Sequence, residues 1–371
     1  MKVALVHDWL TGMRGGENVL EALCDLFPSA PVYTLIHIKG SVTAKIESHR
    51  IQTSLLQYAP FIKRHYRNYL PFFPAAAESF DLKGFDLVIS SSHCVAKGVI
   101  ASPSALHLCY CHTPMRYIWS HYQDYFGNHR LGYLKRFAIP HIVDRLRIWD
   151  VLSNARVHAF ACNSRAVAAR IGKYYGREAA VIYPPVDVEF YTAAESARDD
   201  FLLVVSALVP YKRIDLAIEA ANQLDRRLLI VGVGPERDRL ASLASAKVEF
   251  LGRVTREKLR ELYRSATALL QPGEEDFGIN IVEALACECP VIAYAAGGAL
   301  ETLTEPETGL FFNELSASAL ASAVDKIRGL SFNKPLMRRT ALRFSPERFK
   351  AEFQAFVEDQ LQRKGHGAKE R

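Results

Sequence analysis

From Phe201 onward, short β-branched apolar runs alternate with amphipathic stretches, a rhythm that predicts a parallel sheet covered by helices. The runs place strands at 201–206, 228–232, 248–251, 268–271 and 290–293, with helices near 213–222, 236–244, 256–265 and 279–287. The first half reads the same way less cleanly, with buried strands at 2–6, 32–35, 87–90, 105–110, 157–162 and 180–183. Between the halves lies Tyr183-Pro184-Pro185-Val186-Asp187, where consecutive prolines fix φ and disfavour helix, so a stiff hinge joins two doubly wound α/β units. Past the last βα unit, Ser345-Pro346-Glu347 carries the cap, proline and acidic first turn of a helix start, and Phe349, Phe353, Phe356, Val357 and Leu361 follow at helical spacing. The expected domains are therefore 1–184, 185–345, a terminal helix over 346–363 packed on the first domain, and a flexible polar tail over 364–371. No solenoid-period repeat or low-complexity tract interrupts the pattern.

With 371 residues, 49% apolar and 23% charged, the chain is too long for one small module and too apolar for extensive disorder. The opening apolar run meets His7 and Asp8 at once, too early for a signal-peptide core, and nothing else marks the chain for secretion. The longest stretch free of Asp, Glu, Lys and Arg, residues 98–115, holds Pro103, His107, His112 and Pro114 and does not read as a bilayer span. Seven cysteines without a C-x-x-C fit reduced thiols in a cytosolic compartment. Charge is uneven: residues 1–184 carry 21 Lys/Arg against 12 Asp/Glu, and 185–371 carry 25 against 28.

The most informative chemistry lies in Gly273-Glu274-Glu275-Asp276-Phe277-Gly278-Ile279-Asn280-Ile281-Val282-Glu283. A helix opening near Gly278 directs unsatisfied N–H groups and the positive end of its dipole above the sheet's carboxyl edge, where α/β folds bind ligands. Glu283, about a turn and a half inside, offers two acceptors suited to a vicinal diol such as a ribose, and Glu275 sits in the loop, free to contact a sugar. Two such glutamates serve equally as an acidic first helical turn, which stabilises by roughly 0.3–1 kcal/mol. Lys212 and Arg213 follow the strand at 201–206 to the same edge, where they could neutralise a pyrophosphate; alone, the pair would read as a solvated helix face.

In the first half, Gly15 and Gly16 let backbone amides approach a phosphate where a strand gives way to a helix, though ordinary turn glycines would look the same. His112, in Cys111-His112-Thr113-Pro114, follows the strand ending near Tyr110, and a neutral imidazole there can hydrogen-bond a sugar. Eleven of the twelve histidines fall in this half, so position after a strand is what singles it out. There is no G-x-G-x-x-G, G-x-S-x-G elbow, G-K-[ST] loop, H-E-x-x-H or paired C-x-x-C, which argues against dehydrogenase, serine hydrolase, nucleoside triphosphatase and metal-dependent readings.

Taken in order, the Gly15-Gly16 turn, Cys111-His112-Thr113-Pro114, Cys162-Asn163-Ser164, the prolyl hinge, Lys212-Arg213, Gly232-Val233-Gly234-Pro235, Phe250-Leu251-Gly252-Arg253-Val254 and the Glu275/Glu283 element resemble the retaining glycosyltransferases of family 4. That resemblance implies the GT-B architecture, two Rossmann-like domains facing across a cleft. The wording of Val3–Leu10 and Val209–Asp215 is most similar to bacterial mannosyltransferases that use GDP-mannose in polysaccharide assembly. By that resemblance His112, Glu275 and Lys212 are catalytic. Gly15, Gly16, Lys212, Arg213, Arg253, Val254, Gly278, Ile279, Asn280 and Glu283 bind the donor, no metal or cofactor is needed beyond the nucleotide-sugar substrate, and the acceptor is a saccharide or lipid-linked saccharide. The family's arginine before the post-strand leucine is replaced here by Ala207, a loss for which Arg213 is the candidate substitute.

The interleaved aromatic and basic residues of 58–73 and 115–147, including Arg116, Tyr117, Trp119, Lys135, Arg136, Arg145 and Arg147, suggest a cytoplasmic protein touching the anionic inner face of the plasma membrane; core aromatics with solvated charges give the same pattern. Nucleic acid is the weaker partner for this basic surface. The alternatives to sugar transfer are a nucleotide-sugar epimerase or NAD-dependent dehydrogenase, and a non-catalytic nucleotide-sugar binder.

Overall fold

The computed structural model describes residues 1–126, 133–194 and 198–367. The chain divides into two units, residues 1–185 together with the terminal helix Pro346–Gly367, and residues 186–345. Each unit holds one wholly parallel sheet.

In the first unit the strands are β1 (Val3–His7), β2 (Val32–Thr34), β3 (Ile51–Thr53), β4 (Leu87–Ser92), β5 (Leu106–Cys111), β6 (Ala159–Cys162) and β7 (Ala179–Val181). Their order is β3-β2-β1-β4-β5-β6-β7. Strands β4 and β5 are buried along their whole length, and β4 accordingly reads as an unbroken run of apolar and small residues. The second unit contains β8 (Leu202–Val205), β9 (Leu228–Val231), β10 (Val248–Gly252), β11 (Ala268–Gln271), β12 (Val291–Tyr294) and β13 (Gly309–Phe312), ordered β10-β9-β8-β11-β12-β13. In both sheets the order reverses beside the first strand, between β1 and β4 and between β8 and β11. At such switch points the loops leaving the carboxyl ends diverge and open a crevice. The doubly wound α/β class read from the sequence is the fold observed.

The terminal helix Pro346–Gly367 belongs to the first unit. Phe349 and Phe353 are fully buried among Leu5, Leu20, Tyr110 and Ile182, with the Phe349 ring 5.7 Å from that of Tyr110. The helix runs past residue 363, where the sequence pattern placed a flexible tail, because nothing from Gln362 to Gly367 breaks a helix strongly enough; residues 368–371 lie outside the described residues. Two strands escaped the sequence reading, β3 and β13. β3 is a half-buried three-residue edge, and β13 opens on a glycine whose added Cβ would lie 2.2 Å from the Val291 carbonyl oxygen. The strand expected at 157–162 begins only at Ala159, after the 3₁₀ turn Ser153–Arg156. All seven cysteines are buried and none forms a disulfide, and no described helix is long and apolar enough to cross a membrane.

Candidate functional site

Strand β8 ends at Val205, and its loop closes in a 3₁₀ turn, Pro210–Lys212, before Arg213 starts the helix Ile214–Gln223 from a left-handed conformation, φ 50°. That conformation is uncommon for a non-glycine residue. It turns the chain so that Lys212 is 9% exposed, with its ammonium donating to the Glu275 carboxylate. Glu275 lies in the loop after β11, so the pair spans the second sheet's switch point.

A polar chain extends from this pair. Glu275 Oε1 accepts from Gln271 Nε2 at 2.6 Å, Gln271 Oε1 accepts from Asn280 Nδ2 at 2.6 Å, and Asn280 Nδ2 also donates to the Val205 carbonyl at 2.9 Å. The two partners fix the orientation of the Gln271 amide. Gln271, buried at the end of β11, drew no attention in the sequence; its signal was a polar residue closing the apolar run Ala268-Leu269-Leu270.

Glycine lets the backbones meet here. A Cβ on Gly273 would sit 2.7 Å from the Tyr211 carbonyl oxygen, and one on Gly298 would sit 2.3 Å from Phe277 Cα. The Gly298 amide donates to the Glu275 carbonyl at 2.9 Å, holding the acidic loop from behind. Gly278, at φ 85°, caps the helix Ile279–Ala286, and Ile279 and Asn280 in its first turn are half-buried.

Glu283 stands in a separate cluster. Its Oε2 accepts from the Tyr263 hydroxyl at 2.9 Å, and burial pushes its carboxyl up to about 7 although Tyr263 and Arg256 pull the other way. Arg213 forms an ion pair with Asp215 at 3.2 Å. Arg253, exposed, and Val254, half-buried, follow β10 at the sheet's edge, where the Gly232 amide donates to the Gly252 carbonyl at 2.8 Å. The structure thus joins Lys212, Glu275 and Asn280 in one hydrogen-bonded chain, engages Glu283 and Arg213 with other partners, and leaves Arg253 exposed.

In the first unit, Gly15 and Gly16 open the helix Gly15–Leu26. A Cβ on Gly16 would lie 3.4 Å from His7 Cε1 and 3.6 Å from His112 Nε2, so the helix start rests against both imidazoles. His112 Nε2 lies 2.8 Å from Ser91 Oγ, and burial, with His93 and His7 adding to it, holds its pKa well below the ordinary value. Nearby, the Asp8 carboxylate accepts from the backbone amides of His93, Cys94, Val95 and Ala96 at 2.7–2.9 Å. His7, Asp8, Glu17, Ser91 and His93 were not singled out by sequence.

Residues 189–335 match the protein family described as Glycosyl transferases group 1. The second unit carries a group 1 glycosyl transferase domain. Among curated sequences, the chain is 32% identical over 187 residues to a D-inositol 3-phosphate glycosyltransferase of Mycobacteroides abscessus, a match covering 43% of this chain and 42% of that relative. The chain thus spans less than half the length of that curated relative. It is also 24% identical over 325 residues to an uncharacterized glycosyltransferase of Methanocaldococcus jannaschii, covering 81% and 87% of the two chains.

Among solved structures it resembles Anabaena HepE in complex with UDP-glucose, TM-score 0.71 at 18% identity over 97% of this chain and all of that one. The sucrose-phosphate synthase of Thermosynechococcus elongatus gives 0.68 at 20% identity, covering 99% and 100%. With two Rossmann-like parallel sheets and these neighbours, the fold of the chain is GT-B.

Proposed function

We propose that the protein is a retaining glycosyltransferase of family 4 that moves a hexose, mannose from GDP-mannose, to a saccharide or lipid-linked saccharide. The observation that carries the reading is the Lys212–Glu275 pair at the switch point of the group 1 domain, in one hydrogen-bonded chain with Asn280 in the first turn of the helix Ile279–Ala286. In this reading the Lys212 ammonium and the amides of Gly278 to Asn280 stabilise the pyrophosphate as the anomeric carbon–oxygen bond breaks. Glu275 orients Lys212 and the hexose, Glu283 accepts from the ribose hydroxyls, and Arg253 and Val254 border the base. The reading also assigns Gly15, Gly16 and His112 of the first unit to the sugar donor. The acceptor oxygen attacks the same face of the anomeric carbon, its proton passing to a departing phosphate oxygen, so configuration is kept. An inverted anomeric product in the NMR spectrum would falsify retention.

The donor is tested by thermal shift with GDP, UDP, ADP and NAD, since a ligand stabilises the native chain by RT ln(1 + [L]/Kd). GDP is expected to raise the transition most. A response to UDP instead would favour the second reading, a uridine donor, which the likeness to a HepE complex with UDP-glucose supports. Stabilisation by NAD alone would overturn sugar transfer.

The place of action in this proposal is the cytoplasmic face of a membrane. No Asp or Glu occurs between Glu47 and Glu78, and in that span Leu55, Tyr58 and Phe61 are each more than 80% exposed beside exposed Lys63, Arg64 and Arg67. Such a surface inserts rings while its cations meet anionic headgroups. Flotation with anionic but not neutral liposomes is expected; equal, negligible binding to both would remove the membrane from the reading. In the stretch 115–147, residues 127–132 and the side chains of Lys135 and Arg136 lie outside the described residues.

A further inference from the structure

Four side chains stand in line at the carboxyl end of the first sheet. Glu17 Oε1 is 4.0 Å from His7 Nε2, His7 Nδ1 is 3.1 Å from Ser91 Oγ, and Ser91 Oγ is 2.8 Å from His112 Nε2. Glu17, His7 and Ser91 are at most 3% exposed, and His7 Nε2 is buried with no hydrogen-bond partner. A buried polar atom of that kind is costly unless a small movement supplies a partner. The Glu17 carboxyl, about 1 Å beyond hydrogen-bond reach, is the group that can supply it.

A hydroxyl carries one proton, so Ser91 can donate to only one of its two imidazoles and must accept from the other. The tautomers of His7 and His112 are therefore not independent. We propose that Glu17 sets the tautomer of His112, acting through His7 and Ser91 as a proton-coupled positioning residue.

With Glu17 protonated, its O–H donates to His7 Nε2, His7 Nδ1–H donates to Ser91, and Ser91 donates to His112 Nε2, which leaves the His112 proton on Nδ1. With Glu17 ionised, every member of the line shifts one place. The Glu17 proton is on His7 Nε2, the His7 Nδ1 proton has replaced the Ser91 proton, the Ser91 proton is on His112 Nε2, and the His112 Nδ1 proton has left to solvent or ligand. One proton is lost and one negative charge gained, and the charge resides on Glu17 rather than on the ring. His112 Nδ1 thus changes from a donor to an acceptor without forming an imidazolium.

The surroundings suit this division of labour. Burial pushes the Glu17 carboxyl up to about 7, with Asp8 adding to the rise and Arg14, at the start of the same helix, opposing it. Burial depresses His7 to about 4, with Asp8, just after β1, raising it and His93, after β4, lowering it; His112 is held down by burial, His93, His7 and Arg116. The carboxyl therefore changes charge near neutrality while the imidazoles facing it stay neutral.

The inference deepens the reading of His112 as a donor-facing residue, but its test reads ring nitrogens and needs no sugar, so its failure would leave glycosyl transfer standing. ¹⁵N-resolved histidine spectra of the full chain should show the His112 proton moving from Nδ1 to Nε2 with a midpoint near pH 7. Glu17→Gln should abolish the movement. Ser91→Ala should leave a pH response at His7 while His112 no longer follows. A His112 tautomer that is constant with pH in the native chain, or one that still moves in folded Glu17→Gln, overturns the proposal. The native titration alone is decisive if either variant fails to fold.

Discussion

Lys212 and Glu275, 63 residues apart in sequence, meet as an ion pair between loops leaving the neighbouring strands β8 and β11. Each residue is 9% exposed, so the pair is a largely desolvated contact whose geometry the flanking glycines and Gln271 enforce. Breaking a buried pair from one side costs more than removing both charges, because the survivor is left uncompensated.

Stability and catalysis should therefore separate at this pair. Lys212→Met is expected to lower both the melting temperature and the rate of nucleoside diphosphate release, the latter by about 10²–10³-fold, the typical loss when one preorganised charge-stabilising group is removed. Lys212→Met/Glu275→Gln should recover the melting temperature and not the rate. Recovery of both would show that Lys212 has no chemical part.

Arg213 is tied to Asp215 yet remains the candidate replacement for the arginine absent at Ala207. Arg213→Ala should weaken donor binding by about 10–100-fold, the equivalent of one charge-assisted hydrogen bond of about 1.5–3 kcal/mol. Ala207→Arg in that background should restore it, as read by calorimetric titration with the nucleotide. Unchanged binding in Arg213→Ala would end the substitution idea.

Glu283 carries a pH signature. Its folded pKa, about 7, lies above the ordinary carboxyl value of 4.5, so the folded chain holds the proton more tightly than the unfolded one. The resulting stability is fully present below about pH 4.5 and is lost as pH rises through about 7. Glu283→Gln should consequently gain melting temperature relative to the native chain between pH 5 and pH 8. Glu17 titrates in the same direction, so the double change Glu17→Gln/Glu283→Gln should flatten the profile further.

The terminal helix makes a prediction about the first unit alone. Phe353→Ala should cost about 3–5 kcal/mol, the range for truncating a buried phenylalanine, and should lower the transition belonging to that unit. Calorimetry that resolves two transitions should show the second unit's unmoved; a loss shared equally by both would contradict this division.

Both sheets were largely legible because parallel strands buried on two faces leave unbroken apolar runs, as Leu202–Val205 and Leu228–Val231 do. β3, with the sequence Ile-Gln-Thr, is too short and too half-buried to leave such a run. Glycine punctuation and charge after β8 and β11 exposed Lys212 and Glu275. The buried partners were invisible for a different reason: nothing in a linear pattern says that Gln271 will bridge Asn280 and Glu275, or that Ser91 will fall between His7 and His112. The first is made by the tight loop and helix start that follow β11, and the second by register between strands far apart in sequence, β1 beside β4 and β4 beside β5.

The helix Pro346–Gly367 completes a core whose other members lie before residue 186. During synthesis, residues 186–345 emerge as an uninterrupted stretch and can close their own sheet while the earlier unit still waits for Phe349 and Phe353. Residues 1–185 thus precede residues 186–345 in synthesis yet complete their core after them, because the Phe349 and Phe353 rings are supplied only once the helix Pro346–Gly367 is made.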